Sequence, residues 1–130
     1  MEWTSELNVG VSFMDDDHEH AADIIKAIGN ATSEDLAEKL KAYLEHCREH
    51  FVREEEMMLQ VGFFAYDCHS GEHERVLGDL ERKLEKLKAD SSSVNPKLLH
   101  DELEDWLLNH RNTMDLVTAN FARSQGYQAA

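Results

Sequence analysis

Proline appears once in the 130 residues, at Pro96, and glycine only six times, so most of these few breakers mark boundaries between long segments. No apolar run approaches the roughly 18 residues that a membrane span needs. The first ten residues, MEWTSELNVG, lack both a basic start and an apolar stretch, so no secretory signal is read and a cytoplasmic protein is expected. Basic residues are scarce: 13 against 27 acids, for a net charge of −14. That balance argues against nucleic acid and against anionic membrane as partners, since both require basic patches. Two cysteines, Cys47 and Cys68, make no disulfide framework and are read as free structural thiols.

What remains is a globular composition, 42% hydrophobic and 31% charged, of a length suited to one domain over residues 1–130. Residues 1–14 read as an N-terminal arm, with Trp3, Leu7, Val9, Val11 and Phe13 but no helical period. A first helix is expected from about Asp16 to Ile28, ended by Gly29 and Asn30. Thr32 or Ser33 can cap a second over Glu34 to Gln60, with Gly62 just beyond its end. A third should run from Ala65 or Tyr66 to Lys88. Asn95 and Pro96 form a cap and first turn for a fourth, continuing to Arg123, and residues 124–130 read as a frayed tail. No segment of useful length has a strand period. Four helices joined by short loops predict an all-α, up-down-up-down antiparallel four-helix bundle. No apolar stripe is left over beyond the seams, so a monomer is expected.

The seams are where the chain becomes unusual. In the second helix, Leu36, Leu40, Tyr43, Cys47, His50, Glu54 and Met57 follow steps of four and three. His69, His73, Val76, Leu80, Leu84 and Leu87 do nearly the same in the third, and His18, Ala21 or Ala22, Ile25 and Ile28 share a face in the first. In the fourth the same rhythm gives Leu99, Leu103, Trp106, His110, Thr113 or Met114, Val117 and Phe121. Every helix thus turns a histidine inward. A buried imidazole without a partner costs roughly 1–3 kcal/mol, and a lone one is usually bonded to a neighbour. Five of them, with an inward carboxylate at Glu54, are too many like donors to satisfy one another, whereas a metal takes lone pairs from all.

The spacing agrees. His69 and His73 in HSGEH, and His50 and Glu54 in HFVRE, are pairs four apart that place two donors on one face. His18 and His110 add single ligands. His20 and His100 read as solvent-facing, and His46 as a residue of the site's rim. A structural zinc site wants four ligands, usually with thiolates, and calcium wants oxygens; imidazole with carboxylate suits iron. Glu-x-x-His, the mark of ferritin-like carboxylate sites, is absent from the sequence.

Taken together, Trp3 with NVG and MDDDH, HFVREE, the paired histidines of HSGEH and WLLNHRNTMD resemble the bacterial hemerythrins over nearly the whole chain. The resemblance implies a diiron centre in which His69, His73 and His110 bind one iron and His18 and His50 the other. Glu54 and Asp115 would bridge the two, together with an oxygen atom. Asp115 follows from the resemblance alone. It lies five residues after His110, about 140° round an ideal helix, where an Asp is normally solvent-facing. Five imidazoles, two bridging carboxylates and a bridging oxygen fill eleven of the twelve places of two octahedral irons. One place stays open for a small diatomic ligand, on the iron with two histidines.

The implied function is reversible O2 binding for storage or delivery in the cell, with no catalytic residue. Phe51, Trp106 and Leu107 match positions that line the O2 pocket, as they would also line a plain bundle core. Ala21, one turn after His18, stands where a larger aliphatic residue would shield the site better, and predicts a roomier pocket that autoxidises faster. Two competing readings are a diiron enzyme, reducing peroxide or nitric oxide or oxidising iron, and an oxygen or redox sensor module.

Overall fold

The structure, a computed structural model, describes residues 2–127. A short 3-10 turn, Ser5–Leu7, precedes helices α1 (Ser12–Gly29), α2 (Leu36–Val61), α3 (Tyr66–Ala89) and α4 (Pro96–His110). A single π turn, Arg111–Asp115, joins α4 to α5 (Leu116–Ser124), so α4 and α5 together form the fourth rod of the bundle. There is no strand among the described residues. Helix α1 packs on α2 and α4, and α2 packs on α3.

Several boundaries differ from the sequence expectation, each for a local reason. Helix α1 begins at Ser12 rather than Asp16, because Asp15 reaches back to accept the backbone N–H groups of Val9 (2.7 Å) and Gly10 (3.2 Å). Gly10 allows that reversal with a φ of 91°, in the left-handed region. The arm is correspondingly shorter, and its Val9 and Val11 are buried against Met14, Met57, Ala119 and Ala122. Helix α2 begins at Leu36, not Glu34. The backbone N–H and hydroxyl of Thr32 both donate to Asp35, which winds residues 32–35 into a turn, and neither Thr32 nor Ser33 serves as the cap.

The helix ends were more legible. Gly62, φ 66°, terminates α2, and the Phe63 N–H closes back on the Met58 carbonyl at 2.9 Å. Asn95 caps α4 by accepting from the N–H groups of Lys97 and Leu98, with Pro96 in the first turn. Beyond Ser124, residues 125–127 are held by backbone bonds to Phe121, Ala122 and Arg123, and Tyr127 packs edge-on against Phe13. The rest of the expected tail, residues 128–130, lies outside the described residues.

The seams of α2 and α3 are buried at every position expected. The fourth rod departs from its expected stripe after His110. Thr113 is exposed, as is Val117 at 51%, while Asp115, Thr118, Ala119 and Ala122 are buried. The π turn is the cause. Its i→i+5 closure, with the Leu116 N–H reaching the Arg111 carbonyl, inserts one residue and slips the inward face by one position. The Thr113 hydroxyl takes up the Asn109 carbonyl at 2.7 Å, a side-chain bond that bends helices. From the same turn, the Arg111 guanidinium donates to the carbonyls of Leu7 and Asn8 and ties the arm down.

Along α1, α2 and the fourth rod an apolar stretch gives way to a polar belt and then to a second apolar cluster, while α3 carries the belt at its start and the larger core after it. The larger core includes Ile25, Ile28, Leu36, Leu40, Leu80, Leu84, Leu87, Leu99 and Leu103. The belt holds the histidines. The surface is less uniformly polar than the sequence suggested: Phe64 is 77% exposed beside Val117, on an apolar groove that also includes Cys68.

Candidate metal centre

All five inward histidines and both carboxylates converge in the belt, and none is more than 6% exposed. Glu54, from the middle of α2, is completely buried, and Asp115 is 1% exposed. The π turn accounts for Asp115: five residues after His110 is nearly the same face when the turn closes over five residues instead of four. The solvent-facing position inferred from ideal helical spacing is therefore corrected.

The donor atoms fall into two groups. Nε2 of His69 lies 2.8 Å from Glu54 Oε1, 3.2 Å from Asp115 Oδ1 and 3.1 Å from His110 Nε2. His73 Nε2 is 3.0 Å from the same Glu54 Oε1, and His110 Nε2 is 3.0 Å from the same Asp115 Oδ1. One atom from each of these five residues lies within 4.8 Å of all the others. On the other side, His50 Nε2 is 3.7 Å from Glu54 Oε2, and His18 Nε2 is 2.9 Å from Asp115 Oδ2. Each carboxylate turns one oxygen to the three-histidine group and the other to the two-histidine group.

Proximity has not produced mutual satisfaction. Both Glu54 oxygens, Asp115 Oδ1 and His73 Nε2 are buried without a hydrogen-bond partner, although nitrogens and oxygens stand about 3 Å apart. Orphaned polar atoms in one dry cluster are costly, and cations seated among the two groups of donors would satisfy these four; His18 Nδ1 is buried without a partner as well. The residues fit a metal.

The outward nitrogens of three histidines are held in turn. His50 Nδ1 bonds Asp17 at 2.8 Å, His69 Nδ1 bonds the Thr118 hydroxyl at 2.8 Å, and His73 Nδ1 bonds Glu55 at 2.9 Å. The two carboxylates can only accept, so they place the proton on Nδ1 of His50 and His73 and leave Nε2 bare for an ion; the Thr118 hydroxyl can accept from His69 in the same way. Asp17 also accepts from Arg53 at 2.6 Å, and its backbone carbonyl meets His46 Nε2 at 2.9 Å, so one residue ties α1 to α2. Burial pushes the Asp17 carboxyl up, but His50 and Arg53 pull it further down, to about 2. Burial pushes the Cys47 thiol up to about 12.

A family profile described as "Hemerythrin HHE cation binding domain" matches residues 9–120. The chain belongs to the hemerythrin family. It is 27% identical over 129 residues to a bacteriohemerythrin of Ralstonia nicotianae, covering 99% of this chain and 93% of that one. It is 30% identical over 114 residues to a myohemerythrin of Sipunculus nudus, covering 87% and 86%. A crystal structure of wild-type hemerythrin superposes with a TM-score of 0.86 at 24% identity, over 94% of this chain and 97% of that one, which shows the shared fold.

Beside the hemerythrin donor set lies a cavity of about 20 Å³, bounded by Ala21, Phe51, Trp106 and Leu107, by His18, His50 and His110, and by Asp115. The four residues expected at a pocket wall therefore meet. Phe51 stacks on His73, with centroids 3.8 Å apart, and Trp106 stacks on His110 at 4.5 Å. Sequence reasoning missed Asp17, Glu55 and Thr118 as outer partners, and Tyr43 and Cys47 as further cavity residues. For Asp17 and Glu55 a signal existed: each is an acid directly beside a ligand candidate. His20 is exposed, and its ring meets His46 edge-on at 4.6 Å. His100 bonds the exposed Asp101, away from the donor set.

Proposed function

We propose that this chain binds dioxygen reversibly at a pair of iron ions, for storage or delivery in the cell. His69, His73 and His110 would hold one ion, His18 and His50 the other, and Glu54 and Asp115 would offer an oxygen to each. The observation that carries the reading is the division of the two carboxylates, each offering one oxygen to either group of histidines. Bound there, the irons supply the electrons and the open coordination place that dioxygen requires.

The protein's own part is geometry and dryness. Asp17, Thr118 and Glu55 hold three imidazole rings with Nε2 facing inward. Glu54 and Asp115 offset much of the charge that two cations bring into a water-free belt. Phe51, Trp106, Leu107 and Ala21 wall a space large enough for about one small molecule, which keeps bulk water and its protons out.

The cavity's composition favours a carrier over an enzyme. Of the cavity's proton-bearing groups outside the donor set, Asp17 is held at about 2 by His50 and Arg53, and His46 commits Nε2 to the Asp17 carbonyl; burial raises the other two, Tyr43 and Cys47, well above neutral pH. Neither can act as an acid or a base in turnover. Iron content per chain, with the visible spectrum followed through cycles of air and reduced pressure, tests the reading. Two irons and a colour that comes and goes are expected. Fewer than two irons, or bleaching after one exposure with turnover of peroxide or nitric oxide, would replace the carrier with an enzyme or an unrelated site.

A further inference from the structure

One wall of the cavity is fastened from outside the belt. The Trp106 indole lies nearly parallel to the His110 ring, at 16°, and edge-on to Phe51. Stacking of this kind fixes the plane of an indole but leaves it free to swing within that plane. A second contact removes the freedom: the indole N–H donates to Glu72 Oε2 at 2.9 Å, from α4 to α3. Glu72 is itself clamped, since Arg75 takes both of its oxygens, at 2.6 and 2.9 Å. A bidentate arginine–carboxylate pair has little room to turn. Glu72 is not among the residues that line the cavity. The one donor that Trp106 owns is therefore committed to a group outside the cavity, and only carbon faces the interior.

We infer that Glu72, held by Arg75, is a positioning residue that keeps the Trp106 N–H turned out of the cavity. The inference rests on the oxygen-binding reading. A guest that carries negative charge when bound is lost faster where a nearby N–H can bond to it and help it depart. A Trp106 wall that meets the guest with carbon adds no such donor to those the cavity already has, so the Glu72–Trp106 bond bears on the lifetime of the oxygenated state, through orientation rather than contact.

Glu72→Ala frees the indole, whereas Glu72→Gln keeps an acceptor at the same place without the charge. In iron-loaded protein, ultraviolet Raman difference spectra against wild type should show the Trp106 N–H band shifted in E72A and nearly unmoved in E72Q. Autoxidation should rise roughly tenfold in E72A, about what one hydrogen bond is worth, and stay within about twofold of wild type in E72Q. In a Trp106→Phe background, which has no N–H to release, E72A should add nothing. An unshifted band in E72A, an unchanged autoxidation rate, an equal rise in E72Q, or an equal rise in the W106F background would overturn the inference. If the wild-type chain takes up no dioxygen, the carrier reading fails by itself, and the Raman band still decides how the indole is held.

Discussion

The bundle has two interiors that are equally dry and chemically opposite. Around Leu36, Leu40, Leu80 and Leu99 the seam carries hydrocarbon; about two to four turns along the same helices it carries imidazole and carboxylate. Hydrocarbon stabilises the bundle by leaving water, at about 25 cal/mol per Å². The polar belt has no such term. Its groups lose hydration on folding and, with five side-chain atoms unpartnered, do not regain it from one another. A single heptad-like rhythm thus lays down one half that folds the chain and another that the first half must hold together until cations arrive. The belt's stability should therefore depend on metal and the leucine half's should not.

The largest effect expected is at Glu54. Glu54→Ala removes the oxygens offered to both histidine groups, and iron content should fall below two per chain while the helical circular dichroism persists. Leu80→Ala, at a position 1% exposed, should do the reverse. It should cost about 2–5 kcal/mol in denaturant unfolding and leave the iron content unchanged. Loss of iron in Leu80→Ala, or full iron in Glu54→Ala, would erase the distinction between the two halves.

The same contrast explains what could be read from sequence. The leucine half and most of the belt were legible, because steps of three and four report an inward face whatever chemistry stands on it; His50, Glu54, His69 and His73 were found this way. The failure began at His110. Met114, Val117 and Phe121 form a more apolar stripe than Asp115, Thr118 and Ala122, so a hydrophobicity argument selects the wrong face. The π turn that makes the second stripe the buried one depends on bonds such as Thr113 to Asn109, which no periodicity announces. Asp115 entered only through family resemblance. The outer partners were missed for another reason: Asp17 and Glu55 stand directly beside ligand candidates, but so many acids crowd these helices that adjacency alone did not single them out.

Acidity gives a smaller effect with a definite sign. In the metal-free chain, burial and the neighbouring Asp115 push Glu54 upward, but contacts from His69 and His73 hold it below the ordinary range. His69 is pushed down by burial and raised, to about 10, by Asp115 and Glu54. The Glu54 contribution is present above its ordinary 4.5 and is lost as pH falls below that value. The His69 contribution is complete below 6.5 and is lost as pH climbs towards about 10. Metal-free protein should accordingly weaken from about pH 6 to about pH 8. Iron-loaded protein should strengthen over the same interval, because cations need bare imidazole nitrogens. Thermal midpoints with and without a chelator should draw apart as pH rises; if they converge, the belt is not held by cations.

The smallest effect belongs where the two interiors meet. Ala21 is 5% exposed, in contact with the apolar core on one side and on the cavity wall, beside His18, on the other. Ala21→Ile extends the hydrocarbon half into the cavity beside the belt. The cavity is about 20 Å³, so most of the added carbon must fit there or displace Leu107 and Phe51, and overpacking of this kind costs about 1–3 kcal/mol. Ala21→Val, with less to place, separates shielding from strain. If the apolar wall is what preserves the oxygenated state, autoxidation should slow in Val and slow further in Ile, several-fold in all, even as Ile gives up some stability. A rate that tracks the loss of stability, or that does not move, would show that the boundary between the halves is set by packing and that Ala21 has no part in protecting the guest.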